Sequence, residues 1–254
     1  MLSLSRTRYR ARFAETEDDI AAAQRLRHLA FRAARGRPRA DGRDADGFDA
    51  RCRHVLVEEA RGGTLVCCFR LLPLAGGAEI GRSYSAQYYE LSALRRFAGP
   101  MLEMGRFCIH PEYRDPAILR TAWSAMRDHV EREGVELIFG CSSFLGTEAD
   151  GYIDAFALLH QRHLAPRRWW PRVKAPEVFR FARRLAGRQQ HRAPDPSRAM
   201  RAMPPLLRSY LAMGGWVSDH AVIDRDLGTM HVFTGVEVRK VPAARLRHLG
   251  GAAV

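Results

Sequence analysis

The sequence predicts an α/β fold, a mixed sheet with helices packed against it, and three observations carry that reading. The run from Leu102 to Phe144 reads strand, helix, strand at short spacing, which requires a parallel crossover. HVLVEEA and TLVCCFRLLPL flank an Arg61-Gly62-Gly63 turn as a hairpin. Near the C-terminal end, WVSDHAVIDRDLGTMHVFTG reads as two strands around Asp226-Leu227-Gly228. With 254 residues, 46% of them hydrophobic, the chain can bury a substantial core, so a single domain over 1–254 is expected and disorder is excluded.

In order along the chain, Glu17 to Ala34 is predicted helical. Ile20, Leu26, Leu29, Ala30 and Phe31 fall near helical spacing, and Asp18 and Asp19 oppose the macrodipole in the first turn. RGRPRADGRDADGFDAR follows as a long loop with almost no apolar anchor, and loops of that length are often functional. Pro73 is expected to stop the second hairpin strand. SYSAQYYELSALRRF reads as a helix or packed loop. After the strand that opens at Leu102, Asp115 can cap a helix with Pro116 in its first position. Ile118, Leu119, Ala122, Met126 and Val130 continue that helix until Gly134 ends it. VELIFGCSSF is a buried strand, ADGYIDAFALLHQRH a helix, and PPLLRSYLAMGG a short helix ended by Gly214. No repeat is visible.

Charge narrows the partners. Lys+Arg 41 against Asp+Glu 28 leaves +13, so acidic surfaces are attracted: nucleic acid, anionic membrane or an acidic carrier protein. From Arg162 to Arg192 the chain holds ten Arg or Lys and one acid, Glu177, with Trp169, Trp170, Phe179 and Phe181 interleaved. We treat 162–200 as a basic, aromatic, helical insertion. The odd count of five cysteines without CxxC spacing suits reduced thiols in a cytoplasmic protein. The N-terminal MLSLSRTRYRARF lacks the apolar stretch of a secretory signal, and no segment approaches a spanning helix.

The strand in LEMGRFCIHPEYR raises a chemical question, because it carries Glu103 and Arg106 three residues apart. Regular alternation would send the two side chains to opposite faces. A bulge at Gly105 would turn both toward one cavity and leave N–H groups unpaired; an internal ion pair is the competing reading.

Four elements in order, Arg27-x3-Phe31, Asp46-Gly47-Phe48-Asp49, Arg70-Leu71-Leu72-Pro73 and Glu103-x2-Arg106, resemble the motif set of acyl-homoserine-lactone synthases, within the N-acetyltransferase-type (GNAT) superfamily. GRFCIHPEYRDP, LIFGCSSF and PPLLRSYLAMGGWVSDHAVIDRDLGTMHVFTG resemble more closely the ornithine N-alpha-acyltransferases of bacterial ornithine-lipid synthesis, from Arg27 to Leu249. That resemblance implies a GNAT-like fold with a mostly antiparallel mixed sheet. It also implies transfer of a 3-hydroxyacyl group from acyl carrier protein to the α-amine of L-ornithine, giving lyso-ornithine lipid. Two departures separate the relatives. Arg35, Gly36 and Arg37 stand where the lactone synthases carry a Trp associated with S-adenosylmethionine. Tyr113-Arg114-Asp115-Pro116-Ala117-Ile118 lacks the glycines of a loop that binds the pyrophosphate of coenzyme A, so a donor with one phosphate fits better.

Amide formation from a thioester needs a neutral amine, a positioned carbonyl and donors for the oxyanion. The expected catalytic residues are Glu103, as the base that takes the amine's proton, and Arg106. Arg27, Phe31, Asp46, Asp49 and Arg70 are expected on the acceptor side. There Arg70 or Arg106 grips the carboxylate and the two aspartates receive the distal ammonium, unless these residues form an ion network fixing the loop. Gly105, Phe107, Cys108, Arg114, Cys141 and Ser142 are expected on the acyl-donor side, with Arg114 and the helix that starts at Pro116 meeting a phosphate. Direct transfer is preferred over an acyl-cysteine, since no base adjacent to Cys108 or Cys141 is suggested.

No metal is expected: His110, His129, His160, His163, His220 and His231 form no zinc-type cluster with cysteines. No cofactor is expected beyond the phosphopantetheine of the carrier. Residues 162–192 are assigned to carrier protein or to peripheral contact with an anionic membrane at its inner face. Nucleic-acid binding ranks well behind, since no helix-turn-helix, zinc-finger or RNA-recognition signature is present. Another amino acid, or a homoserine-lactone synthase activity, is the nearer alternative.

Overall fold

A computed structural model of the chain describes residues 7–186 and 195–241. In chain order its elements are β1 (Tyr9–Phe13), α1 (Glu17–Phe31), β2 (Arg53–Glu59), β3 (Leu65–Leu74), β4 (Tyr89–Glu90), β5 (Met101–Ile109), α2 (Pro116–Arg132), β6 (Leu137–Leu145) and α3 (Ile153–Arg162). There follow β7 (Arg172–Val173), β8 (Val178–Phe179), α4 (Phe181–Ala186), α5 (Pro196–Ala202), α6 (Pro205–Ala212), β9 (Trp216–Val217), β10 (Ala221–Asp224) and β11 (Thr229–Glu237). The described residues divide into two compact units, 7–72 with 104–134 and 73–103 with 135–186 and 195–241.

In the first unit the strand order is β1-β2-β3-β5. The β1-β2 and β2-β3 pairs are antiparallel, as expected of the hairpin. α1 begins with a capping box, in which Thr16 accepts from the Asp19 N–H and Asp19 answers at the Thr16 N–H. It stops at Phe31, and a 3-10 turn over Ala33–Arg35 takes the place of the expected last turn. Its inner face sets Ala23 and Leu26 against Leu56, Cys68 and Cys108, with Phe31 packed at the margin. α2 starts as the sequence predicts: Asp115 accepts from the Ala117 N–H, Pro116 fills the first turn, and Gly134 follows the end with φ 62°. Its buried stripe, Ile118, Ala122, Met126 and Val130, repeats every fourth residue. Pro73 does not stop β3, which runs on to Leu74. The last β3 residue paired to β2 is Leu71, so no β2 carbonyl asks for the missing Pro73 N–H.

The second unit holds the order β5-β6-β11-β10-β8, with β9 also on β11. β5 and β6 pair in parallel over Met101–Glu103, and the β6-β11, β11-β10, β11-β9 and β10-β8 pairs are antiparallel, so the sheet is mixed and mostly antiparallel. α3 is buried continuously from Ala155 to Leu159. Phe181 and Leu185 of α4, Ala199 of α5 and Leu207 and Leu211 of α6 share its core. Burial removes part of the aromatic content expected at an interface. Phe181 is fully buried and stacks on Phe156 at 5.0 Å, Phe179 meets the same ring at 5.3 Å, and Trp169 lies 5.3 Å from Phe97. The arginines Arg167, Arg168, Arg172, Arg180, Arg183 and Arg184 stay exposed. The last part of the basic segment, 187–192, and the end of the motif match, 242–249, lie outside the described residues.

Candidate active site

Two clusters of buried charge carry the predicted motif residues, one in each unit. In the first unit the long loop folds back so that Asp44, Asp46 and Asp49 face Arg27 and Arg32 from α1 and its end, Arg70 from β3 and Arg106 from β5. Arg27, 1% exposed, forks onto Asp49 at 2.7 and 2.8 Å and also donates to the main-chain oxygen of Asp44. Arg70 forks onto Asp46 at 2.6 and 2.8 Å and reaches Asp49 at 2.8 Å. Arg106 donates to Asp44 at 3.0 Å and to Asp46 at 3.2 Å, while Arg32 reaches Asp44 at 3.2 Å. Gln24 donates to Asp49 at 2.9 Å. The forked geometry matches two donors to two oxygens and makes these bonds strong.

The main chain bends at Arg106, whose φ of 53° is the one positive value at a non-glycine among the described residues. The left-handed position thus falls on Arg106 rather than on Gly105. It costs roughly 1–2 kcal/mol for a side chain with a Cβ, and the two aspartates gripping the guanidinium offset it.

Burial works against the charge of Asp46 and Asp49. The bonds from Arg70 to Asp46 and from Arg27 to Asp49 outweigh it and hold both carboxyls below the ordinary range. Burial also pushes the His54 imidazole down, against the opposing pull of Asp49. All three groups release protons more easily folded than unfolded, so each contributes stability that is lost as pH falls. The urea midpoint is therefore expected to drop first below about pH 6.5, as unfolded histidine takes its proton, and further between about pH 5 and pH 2. A midpoint independent of pH over that interval would contradict the network.

In the second unit Glu103 is 4% exposed. Its Oε2 accepts from the Tyr84 N–H at 2.7 Å; its Oε1 accepts from the Ser85 N–H at 2.7 Å and the Ser85 hydroxyl at 2.6 Å. The 3-10 turn Ser85–Gln87 carries no side-chain cap of its own, so a carboxylate from β5 satisfies its leading donors. Cys141 on β6 lies 3.5 Å from the Ser85 oxygen. Tyr89 donates to the main-chain oxygen of His231 at 2.7 Å; burial first, and then Cys141 nearby, push its hydroxyl well up.

The remaining expected residues are distributed as follows. Ser142 faces away from Cys141 by strand alternation and accepts from Thr234 at 3.0 Å. Phe107 stacks on Phe69 at 5.5 Å. Cys108 is a core residue 3.6 Å from Cys68, and its thiol is pushed up by that contact and by burial. Gly105 is half-buried beside Arg70. Arg114 is exposed and donates to the Pro111 oxygen at 2.5 Å. Sequence reasoning missed Asp44, Gln24, Arg32 and Ser85. Among the described residues no group of three or more His, Cys, Asp or Glu could hold a metal, and no helix is long and apolar enough to cross a membrane.

Comparison with known proteins defines the class and then the family. Residues 26–124 match the model of an Acetyltransferase (GNAT) domain, and with the relatives named next this makes the chain an acyltransferase. It is 35% identical over 235 residues to an L-ornithine N(alpha)-acyltransferase of Rhodobacter capsulatus, covering 88% of each chain. To the protein of the same name from Rhizobium meliloti it is 30% identical over 251 residues, covering 94% of this chain and 83% of that one. The chain belongs to the L-ornithine N(alpha)-acyltransferase family. Solved structures similar to it include the AHL synthase LasI (12% identity, TM-score 0.44, 98% of each chain) and the CoA-dependent acyl-homoserine lactone synthase BjaI with SAM and isopentyl-CoA (15%, TM-score 0.47, 95% of this chain and 86% of that one).

Proposed function

We propose that the protein moves a 3-hydroxyacyl group from an acyl carrier protein thioester to the α-amine of L-ornithine, giving lyso-ornithine lipid. The observation that carries acyl transfer to ornithine is 35% identity to an L-ornithine N(alpha)-acyltransferase along 88% of both chains. In the proposed reaction Glu103 accepts a proton from the α-ammonium, the neutral amine attacks the thioester carbon, and the C–S bond breaks. The departing phosphopantetheine sulfur takes up a proton. The bonds from the Tyr84 N–H, the Ser85 N–H and the Ser85 hydroxyl support this role, because they fix the carboxylate's position. Within the network of the first unit, Arg106 and Asp46 have the more exposed side chains, 13% and 25%. Arg27 and Asp49, at 1% and 8%, serve as its foundation. The exposed arginines of 162–186 offer opposite charge to an acidic carrier or an anionic membrane surface.

The test is the mass of the product formed from 3-hydroxyacyl carrier protein and an equal mixture of ornithine, lysine, glutamine and S-adenosylmethionine. An N-acyl-ornithine is expected. A lactone or another amide would overturn the acceptor, and no product would overturn the donor.

A further inference from the structure

We propose that Ser85 is a positioning residue for acyl transfer, acting through Glu103; this rests on the role of Glu103 as proton acceptor. Ser85 is 0% exposed, and it supplies two donors to the Glu103 carboxylate, the hydroxyl at 2.6 Å and the N–H at 2.7 Å, both on Oε1. A buried serine hydroxyl commonly bonds back to its own turn, as Ser83 does to the Ile80 oxygen at 2.7 Å. Ser85 instead directs its proton to a side chain 18 residues away.

The turn is braced without that hydroxyl. Ser83 accepts from the Ala86 N–H at 3.2 Å, and the Gln87 and Tyr88 N–H groups donate to Tyr84 and Ser85 oxygens at 3.0 and 3.1 Å. Removing the Ser85 oxygen therefore leaves the turn and both N–H contacts to Glu103 in place. What is lost is the donor that fixes the carboxylate's rotation and favours its ionised form. The other titratable groups that the second unit gathers here are Cys141 on β6, 3.5 Å from the Ser85 oxygen, and Tyr84 and Tyr88, whose hydroxyls are 3.3 Å apart. Tyr89 on β4 and His231 on β11 lie here too, with His231 edge-on to Tyr88 at 5.1 Å, His220 5.2 Å from the Tyr89 ring, and Lys174 donating to the Ala86 oxygen at 2.6 Å.

The experiment compares kcat and KM against pH for the full chain, Ser85→Ala, Ser85→Cys and Glu103→Gln, with ornithine and 3-hydroxyacyl carrier protein. Ser85→Ala is expected to lose about tenfold or more in kcat with KM for ornithine held within about twofold. The acid limb of its kcat/KM profile is expected to move to higher pH, because a carboxyl with one donor fewer protonates sooner. Ser85→Cys, of similar volume and with a weaker donor, gives the same comparison in reducing buffer, with a limb between the other two. An unchanged kcat, or a lower kcat with the acid limb unmoved in both variants, overturns the positioning role. Full activity in Glu103→Gln overturns instead the reading of Glu103 on which it rests.

Discussion

Asp49→Asn is expected to lower folding stability by about 3–5 kcal/mol, the scale of a buried charge pair broken from one side. Asp49 accepts from Arg27 twice, from Arg70, from Gln24 and from the Asp46 N–H at 3.3 Å. These donors are shared between both carboxylate oxygens. An asparagine keeps one oxygen and turns its NH2 toward donors whichever way the amide is placed. It also takes a carboxylate away from Arg27 and Arg70, and Arg27 is 1% exposed and cannot recover the loss from water. Because the loop 35–51 is attached to α1 and β3 largely through these bonds, unfolding should begin there. The measurement is the urea midpoint with its slope. A loss below about 1 kcal/mol, the value of an ordinary surface pair, would show that the network is dispensable. The variant should also flatten the fall in stability between about pH 5 and pH 2, since one depressed carboxyl is gone.

The sheet and its helices were legible because their determinants are local. Asp115 and Pro116 start α2, Gly134 closes it, and the stripe of Ile118, Ala122, Met126 and Val130 declares its inner face. The hairpin and the β10-β11 pair follow from alternation and turn residues in the same way. The charged motif residues were legible as types but not as partners. Arg70, Arg106, Asp46 and Asp49 form the ion network that sequence reasoning held as the competing view, and Arg27 joins it through Asp49. The third carboxylate, Asp44, lay unnoticed in the same loop because an acid among Gly and Arg in a loop reads as solvated. Ser85 left no trace for a different reason. The Tyr84 and Ser85 bonds to Glu103 include two from main-chain N–H groups, which every sequence supplies and only the fold directs. The two-residue strands β4, β7, β8 and β9 are too short to show a period.

Glu103→Gln should reduce kcat by about 10²–10⁴-fold, the usual contribution of a positioned general base. The same substitution should cost about 1–3 kcal/mol of stability, the penalty for a buried polar group set against a like partner. Oε1 faces the N–H and hydroxyl of Ser85 and Oε2 faces the N–H of Tyr84. If the amide oxygen takes the Ser85 side, its NH2 opposes the Tyr84 N–H. If it takes the Tyr84 side, the Ser85 N–H is opposed and only the hydroxyl can turn to accept. The first orientation costs less and keeps the Ser85 contacts, so the turn over 83–88 survives while the carboxylate is lost. The two effects separate in measurement: a thermal melt reads the first, and single-turnover rates at temperatures well below the transition read the second. A stability loss with wild-type turnover would leave Glu103 as a cap for the Ser85 turn and nothing more. Lost turnover in a protein that still melts cooperatively would fix it as the group that removes the amine's proton.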